Sequence, residues 1–494
     1  MKIKILNYKL LKSSIAFSLL LMLSGTIVDA KENEAQQQNA SNIKKLEIFY
    51  NDKNAQINTD KTEEIANSEQ VELSMLLNLA LQNNPKVHKA LFKSNATKTI
   101  IGQAKGLYAP ELMLGSGFAK ERINLQNENS NIYPNSFSDF MYGRISVSQL
   151  IYDFGATSLK IKMAKDLYES SKFEIDTEIN NLVYEVRDKY YYLIFTKLQK
   201  SATEDLSIEF KDQISLIKEH YKKHSAKTQC SCIQLENMGD IPIQELNIAN
   251  TERLLNESQN DIELTQVKLN NIIGLPYSNP YKISDKLSDE KLEITSENLV
   301  KIANTSRPEL KYAQKQIELA QKKEKSVIKD ITPRLNLFGS YGGGGATYQS
   351  ESYNNYGSYQ VGAMLSTPWI NPVIVHKKLE EAKFAKNYEQ ANALEMAYNT
   401  YLEIQEAHIS YNTEIKNIEK CKKTLGKAQK VLKIFKKMYA DGEDCYIHVG
   451  EFTCIVFEAK INYYNALYKL NSAKAAMDKA VGKIITKEDI ITNL

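Results

Sequence analysis

The chain has 494 residues, a net charge of +3 and a mean hydropathy of −0.42. So nearly neutral a chain gives no reason to expect a nucleic acid or another polyanion as partner, and five cysteines in this length exclude a disulfide scaffold. After the first thirty residues no window offers the ~18 consecutive apolar residues of a transmembrane helix.

The N-terminus reads as a secretory signal peptide over residues 1–30. Lys2, Lys4, Lys9 and Lys12 form a basic start, Ser13–Leu23 an apolar core, and Val28-Asp29-Ala30 a small-residue cleavage site. No cysteine lies near that site, so a lipid anchor is not expected there. Residues 31–70 are rich in Asn, Gln, Lys and Glu and read as a flexible leader.

Two copies of one pattern follow, over 71–275 and 297–484, with a linker at 276–296 and a tail at 485–494. Leu76–Pro110 and Leu299–Pro333 match at an offset of 223, from Pro110 to Pro333. Each opens with a short apolar helix, breaks at Asn84-Pro85 or Arg307-Pro308, and runs helically to a second proline. Alternating stretches come next: Glu111–Arg122 and Phe140–Leu150, then Arg334–Ala346 and Tyr356–Ser366. In the last, Tyr359, Val361, Ala363 and Leu365 fall on one face, and Gln360, Gly362 and Ser366 on the other, with Met364 as an exception. Period two marks strands. Their length suits a tilted membrane-spanning strand, and aromatic residues crowd their ends as in outer-membrane barrels. A soluble β-sandwich uses the same alternation.

Very long helices follow the strands. Ala156–Tyr221 contains neither proline nor glycine, and its apolar residues (Ile179, Leu182, Val183, Val186, Tyr190, Leu193) recur at helical spacing. At 1.5 Å per residue this makes a rod of roughly 100 Å. Val373–Ala440 is its counterpart, and return helices are expected at Ile243–Ile273 and Tyr446–Val481. Helices of this length need a partner along an apolar stripe, so each copy should form a coiled-coil hairpin. Four strands cannot close a membrane barrel, and an open edge does not survive in lipid. If the strands enter a membrane, several chains must close the sheet together.

The paired junctions Ala109-Pro110-Glu111-Leu112 and Thr332-Pro333-Arg334-Leu335, the strand-to-helix run Ser148-Gln149-Leu150-Ile151-Tyr152-Asp153-Phe154-Gly155, and Ser366-Thr367-Pro368-Trp369 resemble the TolC-type outer-membrane efflux proteins, over roughly residues 71–484. The resemblance implies an α+β membrane protein with two structural repeats, long helical hairpins and four transmembrane β-strands per chain. Three chains would make a twelve-stranded barrel in the outer membrane, continued by an α-helical tunnel through the periplasm. It implies a passive conduit for small molecules or proteins, without enzymatic activity or cofactor, serving a tripartite efflux pump or a type I secretion system. The partners implied are two further copies, a periplasmic adaptor, an inner-membrane transporter and outer-membrane lipid. The competing reading is a periplasmic coiled-coil adaptor without a barrel, but two hairpins and two strand pairs favour the duct.

Alignment of the copies locates the hairpin tips. Gly155 faces Val373 and Tyr221 faces Tyr439 at an offset of 218, whereas Glu245 faces His448 at 203, so the first copy carries 15 extra residues near Ser225–Gly239. The tip turn of the second copy falls at Gly442–Asp444. In TolC-like channels two aspartates three apart follow that tip. Here the corresponding positions are His448 and Glu451. Glu451 keeps an acidic character, and His448 adds an imidazole of the kind that charges between about pH 5 and 8.

Cys230, Cys232, Cys445 and Cys454 all lie near the two tips, as a candidate disulfide or redox set or as free thiols. His220 and His224 share a helical face ahead of Cys230-x-Cys232, but the spacing is not that of common zinc frameworks, and no metal is expected. Gly342–Gly345 lacks the spacing of a phosphate loop and reads as allowing either sheet curvature or close packing in a sheet. Trp369 reads either as an interfacial anchor or as ordinary packing. The Lys/Glu-rich runs at 322–325 and 377–381 read as solvated helix faces.

Overall fold

The computed structural model describes residues 71–122, 137–224, 240–275, 282–283, 286–348, 351–441 and 446–484. The elements run α1 (Leu73–Asn83), α2 (Pro85–Gly106), β1 (Glu111–Arg122), β2 (Phe137–Tyr152), α3 (Ala156–His224) and α4 (Asp240–Ile273). Then come α5 (Ser296–Ser306), α6 (Pro308–Lys329), β3 (Arg334–Tyr348), β4 (Glu351–Ser366), α7 (Pro372–Asp441) and α8 (Tyr446–Val481). The same succession of six elements therefore occurs twice. Both ends of β2, the end of β3 and the start of β4 extend past the alternating stretches by a few residues.

Local chemistry sets the corners. Asn84, ahead of Pro85, accepts from the Lys86 amide at 2.8 Å and caps α2, and Thr295 caps α5 through the Asn298 amide. Between β2 and α3, Asp153 accepts from the Thr157 amide at 2.6 Å and the Gly155 amide at 3.2 Å, while Phe154 takes a positive φ of 54°. Asn371 plays the same part for α7 by accepting from the Val373 and Ile374 amides. A side-chain oxygen thus satisfies free N–H groups wherever a strand hands over to a long helix.

The helices α3 and α7 have 69 and 70 residues. Each packs along its return helix, α3 with α4 and α7 with α8, and α3 also packs against α8. The inter-helix seam near the middle is polar as well as apolar. Arg187 of α3 donates to Asp478 of α8 at 2.5 Å with both residues buried, and Arg307 donates to Glu403 and to the Ala480 carbonyl. An apolar cluster including Leu299, Ile302, Ile404, Tyr411 and Met477 joins α5, α7 and α8. Around α6, Lys322 pairs with Asp166 of α3, and Glu324 with Lys386 of α7. The charge run at 322–325 is therefore not simply a solvated face, because two of its members tie α6 to its neighbours.

The four strands form one antiparallel sheet in the order β1-β2-β3-β4. Among the described residues, β1 and β4 each pair on one side only. Among the described residues, no helix is long and apolar enough to cross a membrane.

Candidate functional site

The strand register separates the sheet into two chemically different faces. Leu112 pairs across from Val147, Leu114 from Ile145, Tyr341 from both Ile145 and Tyr359, Leu337 from Ala363, and Leu335 from Leu365. All point to one side. Leu112, Leu114, Phe118, Tyr359, Val361 and Leu365 are each about two-thirds exposed or more. A contiguous apolar surface of this kind is not left to water in a stable protein.

The opposite face carries Arg144, Ser146 and Ser148 of β2, Arg334, Asn336 and Ser340 of β3, and Ser358 and Gln360 of β4. Two aromatic rings there lie over glycines of the adjacent strand. A Cβ on Gly117 would sit 2.5 Å from the Tyr142 ring, and one on Gly362 would sit 2.8 Å from Phe338. Close packing also explains Gly342, where a Cβ would meet the Gly143 carbonyl oxygen at 2.5 Å. Trp369, just beyond β4, is fully exposed, so packing within its own chain does not account for it. An apolar-out, polar-in sheet is the arrangement a membrane barrel wall needs.

At the far end of the helices, the two hairpins are tied together by buried polar side chains. The Tyr446 hydroxyl, at the start of α8, lies 2.7 Å from Gln213 Oε1 of α3 and 2.5 Å from Gln244 Oε1 of α4. Gln213 Nε2 donates to Thr453 Oγ1 at 2.8 Å, and Gln244 Nε2 to the Phe210 carbonyl at 2.9 Å. Tyr446, Gln213, Gln244 and Thr453 are all buried, beside Ile217, Tyr439 and Val449. Burial, reinforced by the nearby Asp240 carboxylate, raises the Tyr446 hydroxyl well above the ordinary tyrosine pKa, which keeps it a donor. Lys436 with Glu209, and Lys460 with Asp205, add inter-hairpin pairs at the rim.

His448 and Glu451 stand on the exposed side of the first turns of α8. The His448 ring lies 5.6 Å from Phe435 of α7, which stacks on Phe452 at 4.6 Å. Glu245 is exposed next to buried Gln244. Gly442, Asp444, Cys445, Cys230 and Cys232 lie outside the described residues, as does the 15-residue insertion, so the tip turn is not described. Cys454 is a half-buried free thiol, and burial raises its pKa. Among the described residues, no group of His, Cys, Asp and Glu is arranged to hold a metal ion.

Sequence reasoning overlooked Tyr446, Gln213, Gln244 and Thr453. One signal was available. Leu206, Phe210, Gln213 and Ile217 follow a 4-3-4 spacing and all are buried, so Gln213 is a polar residue at a seam position of the coiled coil.

Long helical hairpins joined to a four-stranded sheet with one apolar and one polar face define the architecture of the chain. Residues 299–483, the second copy of the repeated pattern, match the family model described as outer membrane efflux protein. No curated protein matches the chain in sequence. Among solved structures, CusC is similar at a TM-score of 0.69 and 15% identity, over 84% of this chain and 92% of its own. The outer membrane protein VceC of Vibrio cholerae is similar at 0.67 and 16%, over 83% and 96%. The CmeC outer membrane channel of Campylobacter jejuni is similar at 0.67 and 15%, over 85% and 88%. At these identities the likeness establishes the fold.

Proposed function

We propose that the chain is one of three identical subunits of an outer-membrane exit duct. The apolar sheet face meets lipid, the polar face lines a twelve-stranded barrel, and the long hairpins continue the lumen through the periplasm. The observation that supports this most is the two-faced sheet with a free edge at each side. It cannot be placed in a bilayer as a monomer, because unpaired strand edges are not tolerated there. Copies joined edge to edge, β4 of one against β1 of the next, remove the problem.

In this reading the conduit is passive and energy comes from an inner-membrane transporter reached through a periplasmic adaptor. The cargo is small molecules or proteins. Membrane fractionation with gel migration before and after boiling tests the assembly. The expected result is an outer-membrane band of higher mass that collapses on heating, and a soluble monomer would contradict the duct.

The hairpin tips are the proposed gate. His448, Glu451 and Glu245 would lie on its inner rim, with Gly442 and Asp444 at the turn. Protonation of His448 would then add three positive charges to the ring on acidification. Conductance between pH 8 and 5 should change more steeply in the native channel than in His448→Asn. Superimposable profiles would remove His448 from the gate.

A further inference from the structure

The polar face of the sheet holds one isolated charge midway along its length. The row that crosses the sheet there is Gly115, Arg144, Gly342 and Ser358, so Arg144 is its only long side chain. Gly342 is required by the packing of that row, because a Cβ there would come within 3.0 Å of the Arg144 Cα. The neighbouring row on the helical side is Met113, Ser146, Ser340 and Gln360, with no carboxylate.

The nearest acidic position on this face by register is Glu111, four residues along β1 from Gly115. At the rise of an extended strand it is about 13 Å away. That distance exceeds a screening length of about 8–10 Å at physiological salt. Glu111 and Arg334 occupy the helical end of the same face and line one cavity with Asp153 and Lys160, where the charges offset one another. Among the described residues Arg144 has no such counterweight, and a guanidinium stays cationic at any pH the protein survives.

We propose that three copies of Arg144 form a cationic ring in the barrel lumen, which makes this duct favour anionic solutes over cationic ones of similar size. The inference rests on the three-chain barrel proposed above. It concerns charge selection inside the barrel and is separate from the acidic and imidazole groups at the tip. A charge set in a wide, wet lumen acts at high dielectric and is screened, so the expected effect is modest: roughly two-fold in permeability at ~0.1 M salt, fading toward 1 M.

The test is the chloride-to-potassium permeability ratio of the purified protein in planar bilayers across a KCl gradient. It is measured for the native chain, Arg144→Gln and Arg144→Lys. All three are recorded again in a Tyr446→Phe background, so that a narrow tip does not hide the barrel's contribution. The ring predicts a ratio lowered about two-fold in Arg144→Gln, retained in Arg144→Lys, and converging among the three at high salt. Equal ratios in native and Arg144→Gln channels would overturn the ring while leaving the duct intact. Absence of conductance in every channel, Tyr446→Phe included, would overturn the duct and the ring with it.

Discussion

Tyr446 is the residue on which the two hairpins converge. Its hydroxyl meets two glutamine side chains from different helices, and all three groups are buried. Tyr446→Phe leaves those amide oxygens without that partner at almost unchanged volume, a change worth about 1–3 kcal/mol. We expect faster amide hydrogen exchange in the last turns of α3 and first turns of α8, with the sheet unaffected. Unchanged exchange there would show that the network does not hold the tip. The sign of the pH dependence follows from the raised pKa. The folded state favours the protonated hydroxyl, so its contribution is complete below the ordinary tyrosine pKa of ~10 and is lost only as pH rises through the higher folded value. Any tip response between pH 5 and 8 therefore belongs to groups other than Tyr446. The sequence points to His448 and Glu451 through the resemblance to TolC-like channels, with the alignment of the two copies locating the tip. Tyr446 and its glutamines stayed hidden because their role depends on which hairpins face each other, and a one-dimensional pattern does not state that.

Both return helices end in the same way. Gly274 closes α4 at φ 78° and backs onto Asn83, and Gly482 closes α8 at φ 82° and backs onto Arg307. At each corner a side chain from the helix–proline break also donates to a late carbonyl of the return helix: Asn84 to Ile272 at 2.7 Å, and Arg307 to Ala480 at 2.8 Å. These bonds satisfy carbonyls that a helix end leaves free. A Cβ at Gly482 would sit 2.8 Å from the Arg307 Cα. Gly482→Ala thus combines a left-handed backbone penalty of about 1–2 kcal/mol with a backbone clash. Thermal unfolding should start several degrees lower than in a variant changed at an exposed position, such as Lys377→Ala. Equal melting of the two variants would contradict the close packing. At this scale the sequence was most legible. Strands lie where side chains alternate, and long helices where proline and glycine are missing, because those periodicities are local. The outer ends of the strands were less clear, since the alternation fades there while the backbone pairing continues.

For the whole molecule, the duplicated order of elements has a physical consequence. Each half provides two strands and one hairpin, and the halves together still leave β1 and β4 with open edges. In the proposed assembly the exposed apolar sheet face and Trp369 would be covered by lipid or by further copies. From sequence, assembly is an expectation that rests on strand closure, with the copy number implied by the family resemblance, because one chain carries no direct mark of how many copies meet. The most direct test is the protein mass of the detergent-extracted native complex, determined by light scattering with the detergent contribution subtracted. A trimeric duct gives three chain masses in one monodisperse particle. A particle of one chain mass, stable without detergent, would contradict it.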